Sequence, residues 1–297
     1  MRLGLNFYTS TSSMHRFLRF GKLSATLFTF YFLLLGCDAS GVKTSDKPLV
    51  KKLLKSKNIL DEEHKVVATK KLSNGISIQW YEQGKGENLV EGDLISIDYK
   101  VKIKDGTVVD GNHLLNKESL PFLVGFGLQT PGWEIALKEM KVGDFARVLI
   151  PSKLARGSKG IEGLIPPNSD NLLYIRILKK EQPDRIIDGT KVWILEENKD
   201  NKLKFSDKTS VIFHGMASTP SNAMYVNTFR TNKPFTYRLA DHGLVPGLRK
   251  ALINAKKSDR LYIVVPPSEA YGTEGYLDFV KPNESVFYNV LVMDVVK

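Results

Sequence analysis

Hydrophobic and polar positions alternate with a period of two along much of the chain after residue 90. Residues 95–103 alternate apolar and polar side chains, as in an antiparallel strand with one buried face. Lys104, Asp105 and Gly106 follow and predict a hairpin turn. One helical spacing of i, i+3, i+4 and i+7 comes next, at Trp133, Ala136, Leu137 and Met140. A last alternation, at Leu173, Ile175 and Ile177, predicts a closing strand.

The same order of elements recurs in the second half of the chain, at an offset of 114 to 115 residues. Residues 146–151 (ARVLIP) match residues 261–266 (LYIVVP). The helical spacing recurs at Leu248, Ala251, Leu252 and Ala255. Two copies of this length indicate duplication of a whole domain. Many strands with one short helix predict an α+β domain, in which an antiparallel sheet wraps one helix.

The N-terminal region contains a basic stretch and then an apolar run over residues 27–35. The run is short for ~30 Å of hydrocarbon but has the length of a signal-peptide core. It ends in Leu34, Leu35, Gly36 and Cys37, which resembles the lipobox of bacterial lipoproteins, in which the cysteine is acylated. Cys37 is the only cysteine, so no intramolecular disulfide can form. An uncleaved anchor and a buried apolar segment are the alternatives, and Met14 is a second possible start.

These patterns divide the chain into four parts. We predict a signal peptide over 1–36, a lysine-rich tether over 37–71, a first domain over 72–182 and a degenerate second domain over 183–297. A short helix with a basic face is predicted within the tether. The tether is interpreted as a solvated linker, with contact to anionic lipid or to the next domain as alternatives.

Composition and charge narrow the function classes. The 297 residues are 42% hydrophobic, which excludes wholesale disorder. The formal charge is +11, and removal of residues 1–36 leaves 39 Lys and Arg against 32 Asp and Glu, a net of +7. These bases are spread among acids, so we expect no nucleic-acid partner. The five histidines show no metal-ligand spacing, and we expect no metal site.

Three segments of the first copy carry a resemblance to a known family. They are residues 97–110 (IDYKVKIKDGTVVD), 131–144 (PGWEIALKEMKVGD) and 150–168 (IPSKLARGSKGIEGLIPPN). Together they resemble the FKBP-type peptidyl-prolyl cis-trans isomerases, over 72–182 and more weakly over 188–297. The resemblance implies rotation about an X-Pro amide, which needs no cofactor, nucleophile or metal because no bond is broken.

The resemblance also implies a set of pocket residues in the first copy. Tyr99 and Asp110 match the family's pocket tyrosine and aspartate, and Trp133 matches the indole under the proline ring. The other matched positions are Thr130, whose backbone N–H would bind a ligand carbonyl, and the wall residues Val109, Arg156, Ile165 and Leu173. Val109 and Leu173 stand where the family has phenylalanine, and Arg156 replaces a tyrosine. We therefore expect reduced activity, altered substrate preference and weak macrolide affinity.

The second copy departs further from the family. Leu248 replaces the tryptophan, Phe213 is aligned with the tyrosine, and Val226 falls near the aspartate position. Its predicted pocket comprises Phe213, Leu248, Tyr271, Val280 and Tyr288. Without the polar pair, we expect this copy to serve as a binding or spacing module.

The leading interpretation is a lipid-anchored, monomeric prolyl isomerase of the bacterial cell envelope. It faces the periplasm or the cell surface, and the first copy acts on exported, proline-containing polypeptides. The alternative is a non-catalytic chaperone or interaction lipoprotein that uses two degenerate pockets.

Overall fold

The computed structural model describes residues 64–297. These residues form two domains, each with a seven-stranded antiparallel sheet and short helices, which confirms the predicted tandem α+β fold. The predicted signal peptide, Cys37 and most of the predicted tether lie outside the described residues. Within residues 64–297, no helix combines the length and the apolar character needed to cross a bilayer.

The first domain contains seven strands and one α-helix. The strands pair in the order β1-β2-β6-β7-β3-β4, and β5 also pairs with β3. Their bounds are β1 Ala68–Lys71, β2 Ser77–Glu82, β3 Leu94–Ile103, β4 Val108–Gly111, β5 Leu120–Leu123, β6 Phe145–Ile150 and β7 Asn171–Lys180, with α1 at Pro131–Leu137. Short 3-10 turns occupy Asn112–Leu115 and Ser152–Leu154.

The second domain repeats this topology with the order β11-β10-β14-β13-β9-β8, and β12 pairs with β10. The bounds are β8 Arg185–Ile187, β9 Thr190–Glu196, β10 Ser210–Ser218, β11 Val226–Asn227, β12 Phe235–Arg238, β13 Arg260–Val265 and β14 Val286–Val296. Helix α2 spans Thr228–Thr231, α3 spans Pro246–Leu252, and a 3-10 turn lies at Pro267–Glu269. Equivalent elements follow in the same order, as duplication requires.

The first sheet begins four residues before the predicted boundary at residue 72. Strand β1, residues 68–71, pairs with β2 and therefore belongs to the first domain rather than to the tether. The strand lies at a sheet edge and is mostly exposed, with the sequence Ala-Thr-Lys-Lys. Such a strand carries no alternation of apolar residues, so the sequence pattern alone does not distinguish it from the tether.

Helix α1 packs into the concave face of the first sheet. Pro131 begins the helix at a position where the missing backbone N–H costs nothing. Gly132 permits close approach, because a Cβ there would lie 2.2 Å from Ile150 Cγ2. Trp133, Ala136 and Leu137 are buried against the sheet. The predicted helical spacing therefore identified the buried face of α1.

A buried aspartate in each domain joins the end of a strand, β2 in the first domain and β9 in the second, to the turn that follows the helix. In the first domain, Asp144 accepts hydrogen bonds from Trp80 Nε1 at 2.9 Å, Gly84 N at 2.7 Å and Lys141 N at 3.1 Å. Asp259 repeats the arrangement in the second domain, accepting from Asn198 N at 2.9 Å and Lys256 N at 2.8 Å. These carboxylates satisfy donors that would otherwise be buried without a partner.

We predict that Asp144→Ala destabilises the first domain by on the order of 3 kcal/mol, because it leaves three donors unpaired. Chemical denaturation of the variant and the parent chain measures this difference. Glu118→Ala, at an exposed position of the same domain, is the control and should change the free energy of unfolding little. Equal losses in the two variants would contradict this role of Asp144.

Candidate functional site

The structure brings the three predicted catalytic residues of the first domain together. Tyr99 comes from β3, Asp110 from β4 and Trp133 from the first turn of α1. Tyr99 Oη donates to Asp110 Oδ1 at 3.1 Å, and the rings of Tyr99 and Trp133 meet edge to face at 5.2 Å. Both rings are 2% exposed. The site is therefore an apolar floor with one carboxyl group held beside it.

Burial controls the ionisation of Asp110. Removal from water raises the pKa of its carboxyl group from the ordinary value of 3.8 to about 6. Hydrogen bonds from Gly111 N and Tyr99 Oη, and the positive charge of Arg156, act in the opposite direction. Desolvation outweighs them, since a carboxylate loses most of its hydration energy in such surroundings.

Three of the predicted wall residues share a hydrophobic cluster with Trp133. Val109, Ile165 and Leu173 are all buried within this cluster. Thr130 is buried and immediately precedes α1, with extended backbone angles. Arg156 lies in the segment between β6 and β7 and is near enough to affect the pKa of Asp110.

Two residues of the site were missed in the sequence. Phe122 of β5 stacks on Trp133 at 5.7 Å with an interplanar angle of 23°, and so forms part of the floor. Asn112 accepts from Tyr99 N at 2.7 Å and thereby ties β3 to the end of β4. Strand β5 is only four residues long and contains a proline, so it gives a weak alternation signal. The Asn112 contact links distant positions and has no local pattern.

The second domain contains a cavity of about 110 Å³ at the equivalent place. Its lining residues carry no formal charge and are Phe213, Gly215, Met216, Ala217, Tyr225, Val226, Phe235, Gly243, Leu244, Val245, Leu248, Tyr271, Tyr288 and Val290. Of the predicted pocket residues, Phe213, Leu248, Tyr271 and Tyr288 line the cavity, whereas Val280 is buried in the adjoining core.

Three tyrosine hydroxyls converge on this cavity. Burial raises the pKa of Tyr225, Tyr271 and Tyr288, and each hydroxyl is close enough to its neighbours to influence their pKa values. Tyr225 Oη is buried without a hydrogen bond of good geometry. The cavity therefore offers neutral hydroxyl groups where the first domain has a carboxyl group.

Strand register corrects the alignment of Phe213 with Tyr99. Tyr99 lies opposite Ile175 on β7, and the equivalent pair in the second domain is Gly215 opposite Val290. The loop between β9 and β10 is two residues longer than its counterpart, which moves β10 in the sequence alignment. The Phe213 ring lies 3.5 Å from where a Gly215 Cβ would stand, so it fills the vacant space. Val226 does occupy the position of Asp110.

Potential metal ligands are dispersed in the part of the chain that the structure describes. Among residues 64–297, no three His, Cys, Asp or Glu side chains lie together as a metal site would require.

The geometry of the first site suits an uncharged, cyclic apolar group that carries a hydrogen-bond acceptor.

Comparison with known proteins identifies the family. The sequence model described as FKBP-type peptidyl-prolyl cis-trans isomerase matches residues 85–178 and again residues 199–293. The chain belongs to this family of enzymes. Each match covers one of the two domains, so both copies are FKBP domains despite their different pockets.

Several curated proteins are similar to this FKBP chain. Human peptidyl-prolyl cis-trans isomerase FKBP10 is 26% identical over 204 residues, which cover 69% of this chain and 34% of the relative. The FKBP-type isomerase FkpA of Escherichia coli is 33% identical over 126 residues, covering 42% of this chain and 44% of the relative. The chain thus spans about a third of the length of the first curated relatives it matches.

A solved structure of three FKBP domains from wheat FKBP73 is similar over 78% of this chain and 100% of that chain. Its sequence identity is 23% and its TM-score is 0.38.

We predict that Asp110 makes the stability of the first domain depend on pH. Its pKa is higher in the folded chain, so its contribution is full below pH 4 and is lost as pH rises through 6. The rise in the pKa of Asp110 from 3.8 to about 6 corresponds to about 3 kcal/mol of stability. The free energy of unfolding of the parent chain, minus that of Asp110→Asn, should fall by about this amount between pH 4 and 7. A constant difference would show that the carboxyl group is not desolvated.

Proposed function

We propose that this FKBP protein isomerises X-Pro bonds of exported polypeptides through its first domain. The observation that supports this is the contact set of Tyr99, Asp110 and Trp133 on one apolar floor. A proline ring would lie on the indole of Trp133, which offers a flat apolar surface and is packed against Phe122. The backbone N–H of Thr130 would bind a substrate carbonyl.

The proposed mechanism follows from the chemistry of the amide. Planar X-Pro amides are held by resonance, with a barrier of about 18–20 kcal/mol. The twisted amide loses its charge separation, so an apolar pocket that excludes water favours it over the planar form. Each ~1.4 kcal/mol of this preference gives about a tenfold acceleration. No side chain transfers a proton in this scheme.

The departures from the family pattern should lower the rate. Val109 and Leu173 are smaller than phenylalanine and widen the walls, so a proline ring is less tightly enclosed. Arg156 brings a permanent charge close to the pocket, and its guanidinium must keep contact with a charged partner or solvent. We therefore propose a reduced rate and a shifted substrate preference.

The second domain is proposed to bind or space rather than to catalyse. Its cavity has Val226 and Leu248 where the first domain has Asp110 and Trp133. An uncharged cavity with inward tyrosine hydroxyls suits a neutral, apolar segment whose carbonyl accepts a hydrogen bond. It lacks the indole floor that would orient a proline ring.

The alternative function is a chaperone with two binding pockets and no isomerisation. The neutral cavity of the second domain and the charge of Arg156 near the first pocket support it. Both proposals share polypeptide clients, and they differ in whether binding accelerates rotation.

A proline-limited refolding assay with Asp110→Ala and Trp133→Ala tests the proposal. We predict acceleration by the parent chain and a loss of about tenfold or more in each variant, equal to ~1.4 kcal/mol of transition-state preference. Circular dichroism checks that the variants are folded. Glu118→Ala should retain the parent rate.

The residual activity of a variant that carries both substitutions shows which of the two domains catalyses isomerisation. A variant carrying both substitutions should be inactive if only the first domain catalyses. Acceleration that survives in this double variant would show that the second domain is an isomerase. No acceleration by the folded parent chain would favour the chaperone function.

We further propose a lipid-anchored, monomeric protein of the bacterial cell envelope, held in the bilayer through acylated Cys37. The support is the sequence of residues 27–37 and the lysine-rich segment that follows. Two attractions, an acyl group and basic side chains, hold a protein on an anionic bilayer better than either alone. Proline-containing polypeptides are the proposed partners, and nucleic acid is not among them.

Cys37→Ser tests this anchor. In a bacterial host, the parent chain should incorporate labelled fatty acid and partition with membranes, whereas the variant should lose the label because the acceptor thiol is gone. An unlabelled parent chain, or a label that persists in the variant, would contradict acylation at Cys37.

A further inference from the structure

The outer face of the second sheet carries five buried apolar side chains, with the buried polar Asn289 opposite two of them. Successive side chains along its strands point to opposite faces, and Val192, Leu261 and Ile263 point to the core of the second domain. Their neighbours on the opposite face are also buried and belong to a different cluster. These outer residues are Trp193, Met216, Tyr262, Val264 and Phe287. A sheet that is buried on both faces requires a second body against its outer side.

The first domain shows that this apolar face is not required by the fold. Strand register gives four of the five outer residues counterparts in the first sheet, namely those of Trp193, Tyr262, Val264 and Phe287. The counterparts of Trp193 and Tyr262 are Gln79 and Arg147, whose side chains hydrogen-bond to each other at 3.1 Å. The counterpart of Val264 is Leu149, which is 37% exposed. The same architecture therefore tolerates a polar outer face.

The first domain covers the apolar face of the second. Outer residues of the second sheet join the hydrophobic cluster of the first domain. The rings of Phe126 and Phe287 lie 5.9 Å apart across the boundary. Trp193 Nε1 donates to the backbone oxygen of Glu181 at 3.0 Å, at the start of the connection between the domains. Both an apolar and a polar contact thus join the domains.

The contact between Phe126 and Phe287 falls on the loop that leads to the proposed isomerase site. Residues 124–130 connect β5 to α1, and Phe126 lies in this segment, 1% exposed. Gly127 has a φ of 64°, and a Cβ there would lie 2.7 Å from the Cβ of Ala223 in the second domain. The second domain therefore approaches the backbone of the loop as closely as a glycine permits.

The same loop is held from the inside by Glu134 of α1. Gly125 N donates to Glu134 Oε2 at 2.7 Å, and Gly127 N donates to Glu134 Oε1 at 3.1 Å. The loop ends at Thr130, one turn before Trp133. It is therefore fixed between a carboxylate of its own helix and the surface of the other domain.

We propose that the second domain positions the β5–α1 loop of the first domain, and with it Thr130 and Trp133. Trp193, Phe287 and Ala223 are then positioning residues for a reaction that they do not touch. This inference rests on the proposed isomerase function of the first domain. It gives the second domain a role that does not depend on ligand in its own cavity.

The test exchanges outer-face residues between the domains. In the full chain, Trp193→Gln and Tyr262→Arg are combined, since these are the residues that the first domain carries at the same register. Ile186→Ser, at a position of the second domain that is 65% exposed, is the matched control. Small-angle scattering reports whether the domains remain docked. Deuterium exchange over residues 120–134 and kcat/KM for a proline peptide report on the loop and the site.

We expect the double variant to open the interface, to raise exchange over residues 124–130 by tenfold or more, and to lower kcat/KM by about fivefold or more. The control should match the parent chain in all three measurements. Separated domains with unchanged exchange and unchanged kcat/KM would overturn the proposal. Unchanged scattering would also overturn it, because these side chains would then not hold the domains together.

Two further arms keep the test decisive. If the double variant does not fold, Phe287→Leu replaces it, since Leu172 is the counterpart of Phe287 in the first domain. The expected increase in deuterium exchange over residues 124–130 is then about threefold. If the folded parent chain does not isomerise proline peptides, the proposed function fails, while exchange of the loop still decides whether the second domain positions it.

Discussion

The two faces of each antiparallel sheet determine what each domain can do. Successive side chains along a strand point to opposite faces, so every strand divides its residues between an inner and an outer surface. The inner surface must cover one short helix and leave room for a pocket. The outer surface meets water over part of its area in the first domain, at Leu149 for example, and meets the first domain in the second. Pocket and interface are thus specified by alternate residues of the same strands.

On the inner faces, one backbone arrangement carries two different chemistries. In the first domain, a carboxyl group is desolvated beside an indole, and burial raises the pKa of Asp110 to about 6. In the second, Val226 takes the aspartate position and three tyrosines supply neutral hydroxyls. The first arrangement suits an X-Pro amide that loses its charge separation as it twists above a flat floor, and the second suits a neutral segment in an uncharged cavity.

The sequence predicted those elements whose apolar residues repeat with a clear period. It did not predict elements in which this repeat is short or interrupted. Alternation over residues 95–103 and the helical spacing at Trp133 predicted β3 and α1. Strand β1 was missed because an exposed edge strand has no apolar alternation, and Phe122 because β5 is four residues long. Phe213 was aligned incorrectly because a longer loop before β10 changes the register.

The interface between the domains did leave a signal in the sequence. Residues 261–265, Leu-Tyr-Ile-Val-Val, form a continuous apolar run where the first copy has Ala-Arg-Val-Leu-Ile. A continuous run indicates a strand that is buried on both faces, whereas the first copy carries an arginine on its outer face. The sequence pattern does not show what packs against the outer face of the second sheet. In the structure, the packing partner includes the loop of residues 124–130.

A titration followed by nuclear magnetic resonance tests most directly whether the first domain contains an isomerase site. A short proline peptide is added to the full chain while the indole N–H signals of the tryptophans and the cis-trans exchange of the peptide are monitored. We predict that the Trp133 signal shifts with saturation and that exchange between the cis and trans peptide accelerates at the same concentrations. An unshifted Trp133 signal, with exchange at its uncatalysed rate, would contradict an isomerase site in the first domain.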